Sequence, residues 1–278
     1  MKRLIVNADD YGRAPSVSAG IRQAHQQGIV TSTTAMMNIS GVEAELHRAL
    51  AECPRLGLGV HLILTVEAPV LPPERLPSIV GLADGVHFPK PDRLFEGATN
   101  LTLEEVKAEW RAQIEKFIRA TGRPPTHLDS HHHASYLTPP MFSAMLDLAR
   151  EYDCAIRTPI THHLDLSGDL PSSSDLVELV PAFILPLLAA SGVRRPNRFE
   201  ARFYGKQATA EVLYNILSQL PDGVTELMCH PGLPDPGLVG LSSYNAQRAA
   251  ELAALTDSGV RAFAQRLGVE LISFQSLR

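Results

Sequence analysis

Two carboxylates stand side by side in "VNADDYG" (residues 6 to 12), directly after a short apolar run and with no basic residue beside them. Adjacent Asp9 and Asp10 repel each other where the dielectric is low, so a folded site that keeps both ionised needs a cation or a proton close by. Histidine is the other conspicuous chemistry among the eleven that the chain carries. Four of them accompany an aspartate in "HLDSHHH" (residues 127 to 133), His61 lies in the apolar run "GVHLIL", and His230 precedes a Pro-Gly pair in "MCHPG".

Singly, each feature is weak. An Asp-Asp pair at a strand end more often caps a turn or a helix, and one histidine in an apolar strand is more often a satisfied core residue. Jointly they point to a metal site. Asp10 with two imidazoles makes a two-histidine, one-carboxylate arrangement that leaves coordination positions open for water and substrate. A divalent ion there would neutralise Asp10, bring the pKa of water toward about 7, and leave Asp9 ionised to act as a base.

Residues this far apart meet only if the fold gathers the ends of their elements. "RLIVNAD" reads as a strand ending at the carboxylates, and "SVSAGIRQAHQQG" as a helix with Ser16 as N-cap and Gly28 as its stop. "TSTTAMMN" reads as a second strand, "GVEAELHRALAEC" as a helix and "LGLGVHLIL" as a third strand. Six prolines between positions 66 and 100 exclude a long regular element, and loops of that length are more often functional than idle. "LTLEEVKAEWRAQIEKFIRATG" is the clearest helix, with Thr102 and Glu105 as a capping box and Gly122 at its end. "PTHLDSHHH" then forms a strand and its end, because a helix with proline in its first turn begins at "PPMFSAMLDLAREY".

"CAIRTP" is a fifth strand candidate, followed by an irregular section from Ile160 to Ser172. An apolar helix spans "SDLVELVPAFILPLLAASG", interrupted by Pro181 and Pro186, and Arg194 to Gly205 shows no clear pattern. "ATAEVLYNILSQL", "NAQRAAELAALTD" and "SGVRAFAQRLG" read as helices, "GVTELMCHPG" and "VELISF" as strands. About seven largely parallel strands alternating with helices fit a distorted (β/α) barrel best, with a doubly wound sheet second. In both folds active sites form at the carboxyl ends of the strands, where Asp9, Asp10, His61, the histidine cluster and His230 all fall.

A chain of 278 residues with 45% hydrophobic and 20% charged residues suits one domain over residues 1–278. The net charge of -5 and scattered basic residues argue against nucleic acid as a partner and favour a small molecule. No transmembrane segment or secretory signal is recognisable, which points to a cytoplasmic protein. Cys53, Cys154 and Cys229 lack the spacing of a disulfide framework or a thiolate zinc site and read as reduced, buried thiols.

"LIVNADDYG", "GIVTSTTAMMN", "GVHLILT", "PTHLDSHHH" and "ELMCHPG", in this order, resemble the YdjC-like carbohydrate deacetylases, a family that includes chitooligosaccharide deacetylases and deacetylases associated with hopanoid biosynthesis. The resemblance runs from residue 3 to about 274. It implies a distorted α/β barrel that removes acetyl groups from N-acetylated sugars with one divalent ion, Mg2+ or Zn2+. It places the metal ligands on Asp10, His61 and His131, the catalytic base on Asp9 and a general acid on His230; the H-x3-H spacing of "HLDSH" makes His127 a rival third ligand, with His131 preferred. The chain departs from the family in carrying Ala134 and Ser135 where relatives commonly continue with a further histidine, a change expected to bear on the sugar pocket.

The leading expectation is therefore metal-dependent hydrolysis of an acetamido sugar, with Arg157, Arg202, Tyr204 and the proline-rich loop as substrate contacts. A homodimer is allowed for. A metal-dependent phosphoesterase would usually need two ions about 3.5 to 4 Å apart and more ligands. A non-catalytic metal- or sugar-binding protein would need neither the spare base nor the acid.

Overall fold

The computed structural model describes residues 1–158, 174–238 and 244–277. Its strands are β1 Lys2–Tyr11, β2 Ser32–Ala35, β3 Gly57–Leu62, β4 His127–Ser130, β5 Ala155–Ile156, β6 Arg198–Glu200, β7 Gly223–Cys229 and β8 Glu270–Leu271. Its helices are α1 Pro15–Gln27, α2 Val42–Glu52, α3 Pro77–Val80, α4 Pro91–Gly97, α5 Leu103–Thr121, α6 Pro139–Glu151, α7 Ser174–Ser191, α8 Ala210–Gln219, α9 Ala246–Leu255 and α10 Ser258–Arg266.

All pairings among these strands are parallel, in the order β5-β4-β3-β2-β1-β7-β6, with β8 added to β1. Read around a circle, this is the sequential order of a barrel opened between β5 and β6. The expected distorted (β/α) barrel is what forms. Parallel strands are covered on both faces and so read as near-continuous apolar runs. Accordingly β3 is buried at every position and β7 at all but its first.

The helices cover this sheet through apolar stripes. In α5 the buried Val106, Trp110, Ile114 and Phe117 recur every three or four residues on one side, as an amphipathic helix requires. Burying a chain such as Phe117 is worth roughly 1.5–3 kcal/mol. Gly122 ends α5 at φ 69°, a left-handed conformation that glycine adopts without a Cβ penalty.

Local details differ from the sequence reading where side chains find other partners. Ser16 does not cap α1; its hydroxyl donates to Asp235 at 2.5 Å, and the cap position is Ala14. Thr102 precedes α5 without a side-chain cap, and the return half of the box is also missing: Glu105 accepts from the Ser78 amide and hydroxyl, each at 2.8 Å, while the Thr102 amide donates to Ser78 Oγ at 2.9 Å. The unpatterned stretch from Arg194 to Gly205 contains β6, too short to show periodicity, which brings the strands among the described residues to eight. Helix α7 runs through Pro181 and Pro186. Pro186 and Ala182, whose carbonyl loses its donor there, are both exposed, so water can satisfy it.

The region from 66 to 100 holds only the short α3, α4 and 3-10 turns, as its prolines require. The irregular section expected from Ile160 to Ser172 lies outside the described residues. Cys53, Cys154 and Cys229 are free and buried, and no helix is long and apolar enough to cross a membrane among the described residues.

Candidate active site

In a regular strand neighbouring side chains point to opposite faces, which would separate Asp9 from Asp10. The pairing of β1 with β2 slips between Ala8 and Tyr11, where three steps on β1 oppose two on β2, and Asp10 takes φ 70°. Such a bulge re-aims a side chain, and aspartate is among the residues that tolerate the left-handed region. Both carboxylates consequently line one cavity of about 290 Å³ at the carboxyl ends of β1, β3, β4 and β7, together with His61, His131 and His230.

Three of these residues converge on a point. Asp10 Oδ1 lies 3.5 Å from His61 Nε2 and 3.3 Å from His131 Nδ1, and the two nitrogens are 3.2 Å apart. A triangle of that size suits ligands held about 2.0–2.2 Å from a single ion. Asp10 Oδ1 is buried without a hydrogen-bond partner, an arrangement that costs free energy unless a cation or donor meets it. His61 Nδ1 donates to Asp129 Oδ1 at 2.6 Å, which leaves Nε2 as the nitrogen toward the triangle, available to a cation that takes the place of its proton, as in carboxylate-histidine-metal sites. Burial works against charge on His61, yet Asp129, Asp9 and Asp10 together push it up to about 9; the pocket calls for positive charge at this position. The residues present fit a divalent ion with open positions.

The compensating charge for the carboxylate pair comes also from two arginines distant in sequence. Arg157 donates to Asp9 Oδ1 at 2.6 Å and to Oδ2 at 2.8 Å, and also meets Asp129 and Glu226. Burial pushes the Asp9 carboxyl up, but the Arg157 charge and hydrogen bonds outweigh it and hold the group well below the usual range. Arg248, from α9, donates to Asp10 Oδ2 at 2.5 Å; against the cost of burial it likewise keeps Asp10 far down. Arg157, expected from the sequence as a substrate contact, is 1% exposed, is not among the residues lining the cavity, and holds Asp9 in place.

His230 Nε2 sits 3.9 Å from Asp9 Oδ2. Its backbone amide donates to Glu251, which also accepts the Tyr244 hydroxyl. Tyr204 and Tyr244 stack with ring centres 4.5 Å apart, and both meet the His230 ring edge-on. These aromatic rings line the same cavity.

His127 stands apart from the triangle. Its Nε2 donates to Asn7 Oδ1 at 2.9 Å, Asn7 Nδ2 donates to Asp9 Oδ1 at 2.9 Å, and the imidazole stacks on Phe274 at 3.8 Å. Burial and the nearby Arg157 charge hold His127 neutral, well below the histidine range. A Cβ on Gly59 would come within 2.6 Å of this ring, so glycine is required where β3 passes it. The rival ligand is thus a support for the Asn7 that orients Asp9.

Ser135 is fully buried and shares a 2.7 Å hydrogen bond with Ser130. The departure at that position lies in the core behind β4 and not in the pocket wall. Arg202 is tied to Glu200 through its Nε at 2.9 Å and its terminal nitrogen at 2.7 Å and does not line the cavity. Tyr204 does, as do Val66 and Pro91 of the proline-rich region. Asp129, Glu226, Arg248 and Glu251 escaped sequence reasoning as site residues. For Asp129 a signal existed, its place two residues before His131 in "HLDSHHH"; the others have none, because their partners are set by tertiary pairing.

Comparison with known proteins gives a consistent likeness. A model of the family described as YdjC-like protein matches residues 3–266. A carbohydrate deacetylase from Enterococcus faecalis is 34% identical over 281 residues, covering 99% of this chain and 98% of the relative. A chitooligosaccharide deacetylase from Salmonella paratyphi B is 33% identical over 276 residues, covering 98% and 97%. Among solved structures, an Enterococcus faecalis protein described as a candidate for cellobiose-phosphate cleavage superposes with TM-score 0.83 at 33% identity, covering 99% and 98%. A family 4 carbohydrate esterase from Streptomyces lividans, in complex with acetate, shares the fold at TM-score 0.53 and 11% identity, covering 100% and 96%.

Proposed function

The chain belongs to the YdjC-like family, and from that premise we propose that it is a metal-dependent deacetylase that hydrolyses the acetamido group of an N-acetylated sugar. The observation that carries this reading is the triangle of Asp10 Oδ1, His61 Nε2 and His131 Nδ1 in the cavity that also holds Asp9 and His230. The deacetylase relatives support the same chemistry.

A divalent ion on Asp10, His61 and His131 would acidify water and stabilise negative charge on the acetyl oxygen. Asp9 takes the proton that water loses as its oxygen bonds to the acetyl carbon. Arg157 and Asn7 fix the Asp9 carboxylate and keep it ionised. With its carboxyl held below the usual range, Asp9 would rely on the ion to acidify the water whose proton it takes. When the carbon-nitrogen bond breaks, the amine needs a proton, and His230 is placed to give it. Acetate and a free amino sugar result. Tyr204 and Tyr244 offer aromatic surface for the sugar ring.

The phosphoesterase alternative needs room for a second cation. In the neighbouring group Asp9, His61 and Asp129 both carboxylates already hold the Arg157 cation, which favours a single ion. The test is acetate release from N-acetylglucosamine, chitobiose, chitobiose phosphate and lipid-linked N-acetylglucosamine, each with magnesium, zinc, cobalt and manganese. Acetate from at least one pair supports the proposal. Phosphate release from the sugar phosphate with no acetate from any substrate would replace it by the phosphoesterase.

A further inference from the structure

Asp10 divides its two oxygens between different surroundings. Oδ1 faces His61 and His131 and has no hydrogen-bond partner. Oδ2 accepts from Arg248 at 2.5 Å. The guanidinium is itself held: its Nε donates to the Tyr244 carbonyl at 2.9 Å and Nη1 to the His230 carbonyl at 3.5 Å. Its stem lies against Gly232, where an added Cβ would meet Arg248 Cβ at 3.2 Å, and the two backbones are joined by a 3.1 Å hydrogen bond. The Asp10 and Arg248 side chains are each 4% exposed.

An ion on Oδ1 has no need to displace Arg248, because the two cations approach opposite oxygens of one carboxylate. A fixed positive charge then persists beside the ligand set, in a buried place where water screens it little. We infer that Arg248 is a positioning residue that restricts Asp10 to one-oxygen ligation and weakens the grip of the site on its metal. This inference rests on the metal-site reading above. Without Arg248, Asp10 would lose its permanent counter-charge and keep only the histidines beside Oδ1, which disfavours the metal-free protein and strengthens its demand for a cation. It would also be free to offer both oxygens. The guanidinium thus keeps the metal-free pocket folded and the bound ion exchangeable.

The experiment measures cobalt affinity by competition with a chelating dye for wild type, Arg248→Met, Arg248→Lys and Asp10→Asn, with circular dichroism to confirm folding. Arg248→Met should bind cobalt at least tenfold more tightly than wild type, and its thermal midpoint should rise more on cobalt addition. Arg248→Lys, which keeps the charge, should stay within about threefold. Folded Arg248→Met that binds cobalt equally or more weakly overturns the inference while leaving the metal site intact. Wild type that binds no cobalt, or Asp10→Asn that binds it as wild type does, removes the metal reading and this inference with it. A crystal structure of cobalt-loaded wild type decides independently of the variants' folding: the ion on Oδ1 with Arg248 still on Oδ2 supports the inference, and both Asp10 oxygens on the ion with Arg248 released overturns it.

Discussion

His61 gives its Nδ1 hydrogen to Asp129 across 2.6 Å, and that bond decides which nitrogen is left to face Asp10. A carboxylate can only accept, so the imidazole must carry its hydrogen on Nδ1. Thr34 and Arg157 fix Asp129 in turn, each at 3.0 Å from its Oδ2. Asp129→Asn should therefore lower metal affinity by roughly 10- to 100-fold, the range for removal of such an outer partner. Isothermal calorimetry checks it; an unchanged affinity would mean that strand β3 alone orients the ring.

The two adjacent carboxylates should separate by role. Asp9→Asn is expected to keep the metal but lower turnover by about a hundredfold or more, as for a removed general base. Asp10→Asn should lose the metal. Metal analysis and turnover on both variants decide the matter, and loss of metal from Asp9→Asn with retention in Asp10→Asn would exchange the assignments.

Much of this site is legible in the sequence because its candidate ligands sit at strand ends. "VNADDYG", "GVHLIL", "HLDSHHH" and "MCHPG" each announce a strand that stops at a polar residue, and a parallel fold brings such ends to one face. The counter-charges are not legible. Arg157 and Arg248 lie 148 and 238 residues from the carboxylates they meet, and no local pattern links them. The bulge that turns Asp10 beside Asp9 has no glycine to mark it, since the unusual φ falls on the aspartate itself. Strand β6 escapes because three residues, of which only Phe199 is buried, hold too little alternation to detect.

His230 should matter in proportion to how badly the leaving group needs a proton. An amide nitrogen departs poorly until protonated, whereas an activated ester leaves with little help. His230→Ala is therefore expected to slow acetate release from an acetamido sugar far more than from an activated acetyl ester. Equal losses on both substrates would reject the acid role.

Glu251 should add to the pH dependence of stability with a definite sign. Burial pushes its carboxyl up to about 8, against the hydrogen bonds from the His230 amide and Tyr244 that favour the charged form. The folded value lies above the ordinary 4.5, so between these limits the folded protein holds a proton that the unfolded chain has released. Stability from this group is full below about 4.5 and declines as pH rises toward 8. Glu226, also raised by burial to about 8, acts in the same sense. Between pH 5 and pH 8 the thermal midpoint of the wild type should lose more, or gain less, than that of Glu251→Gln, because Glu226 and the buried histidines His127, His132 and His133, held neutral by burial, contribute alike to both proteins. Parallel curves for the two proteins would contradict this.

The central claim is that one divalent ion on Asp10, His61 and His131 drives hydrolysis of an acetamido sugar. The most direct measurement is acetate release by chelator-treated protein titrated with metal, on whichever substrate the screen identifies, for wild type and Asp10→Asn side by side. The account predicts that release stops on chelation, returns in proportion to added metal up to one equivalent in the wild type, and does not return at that metal level in Asp10→Asn. Undiminished acetate release from the chelated wild type, or equal recovery in Asp10→Asn, would contradict it.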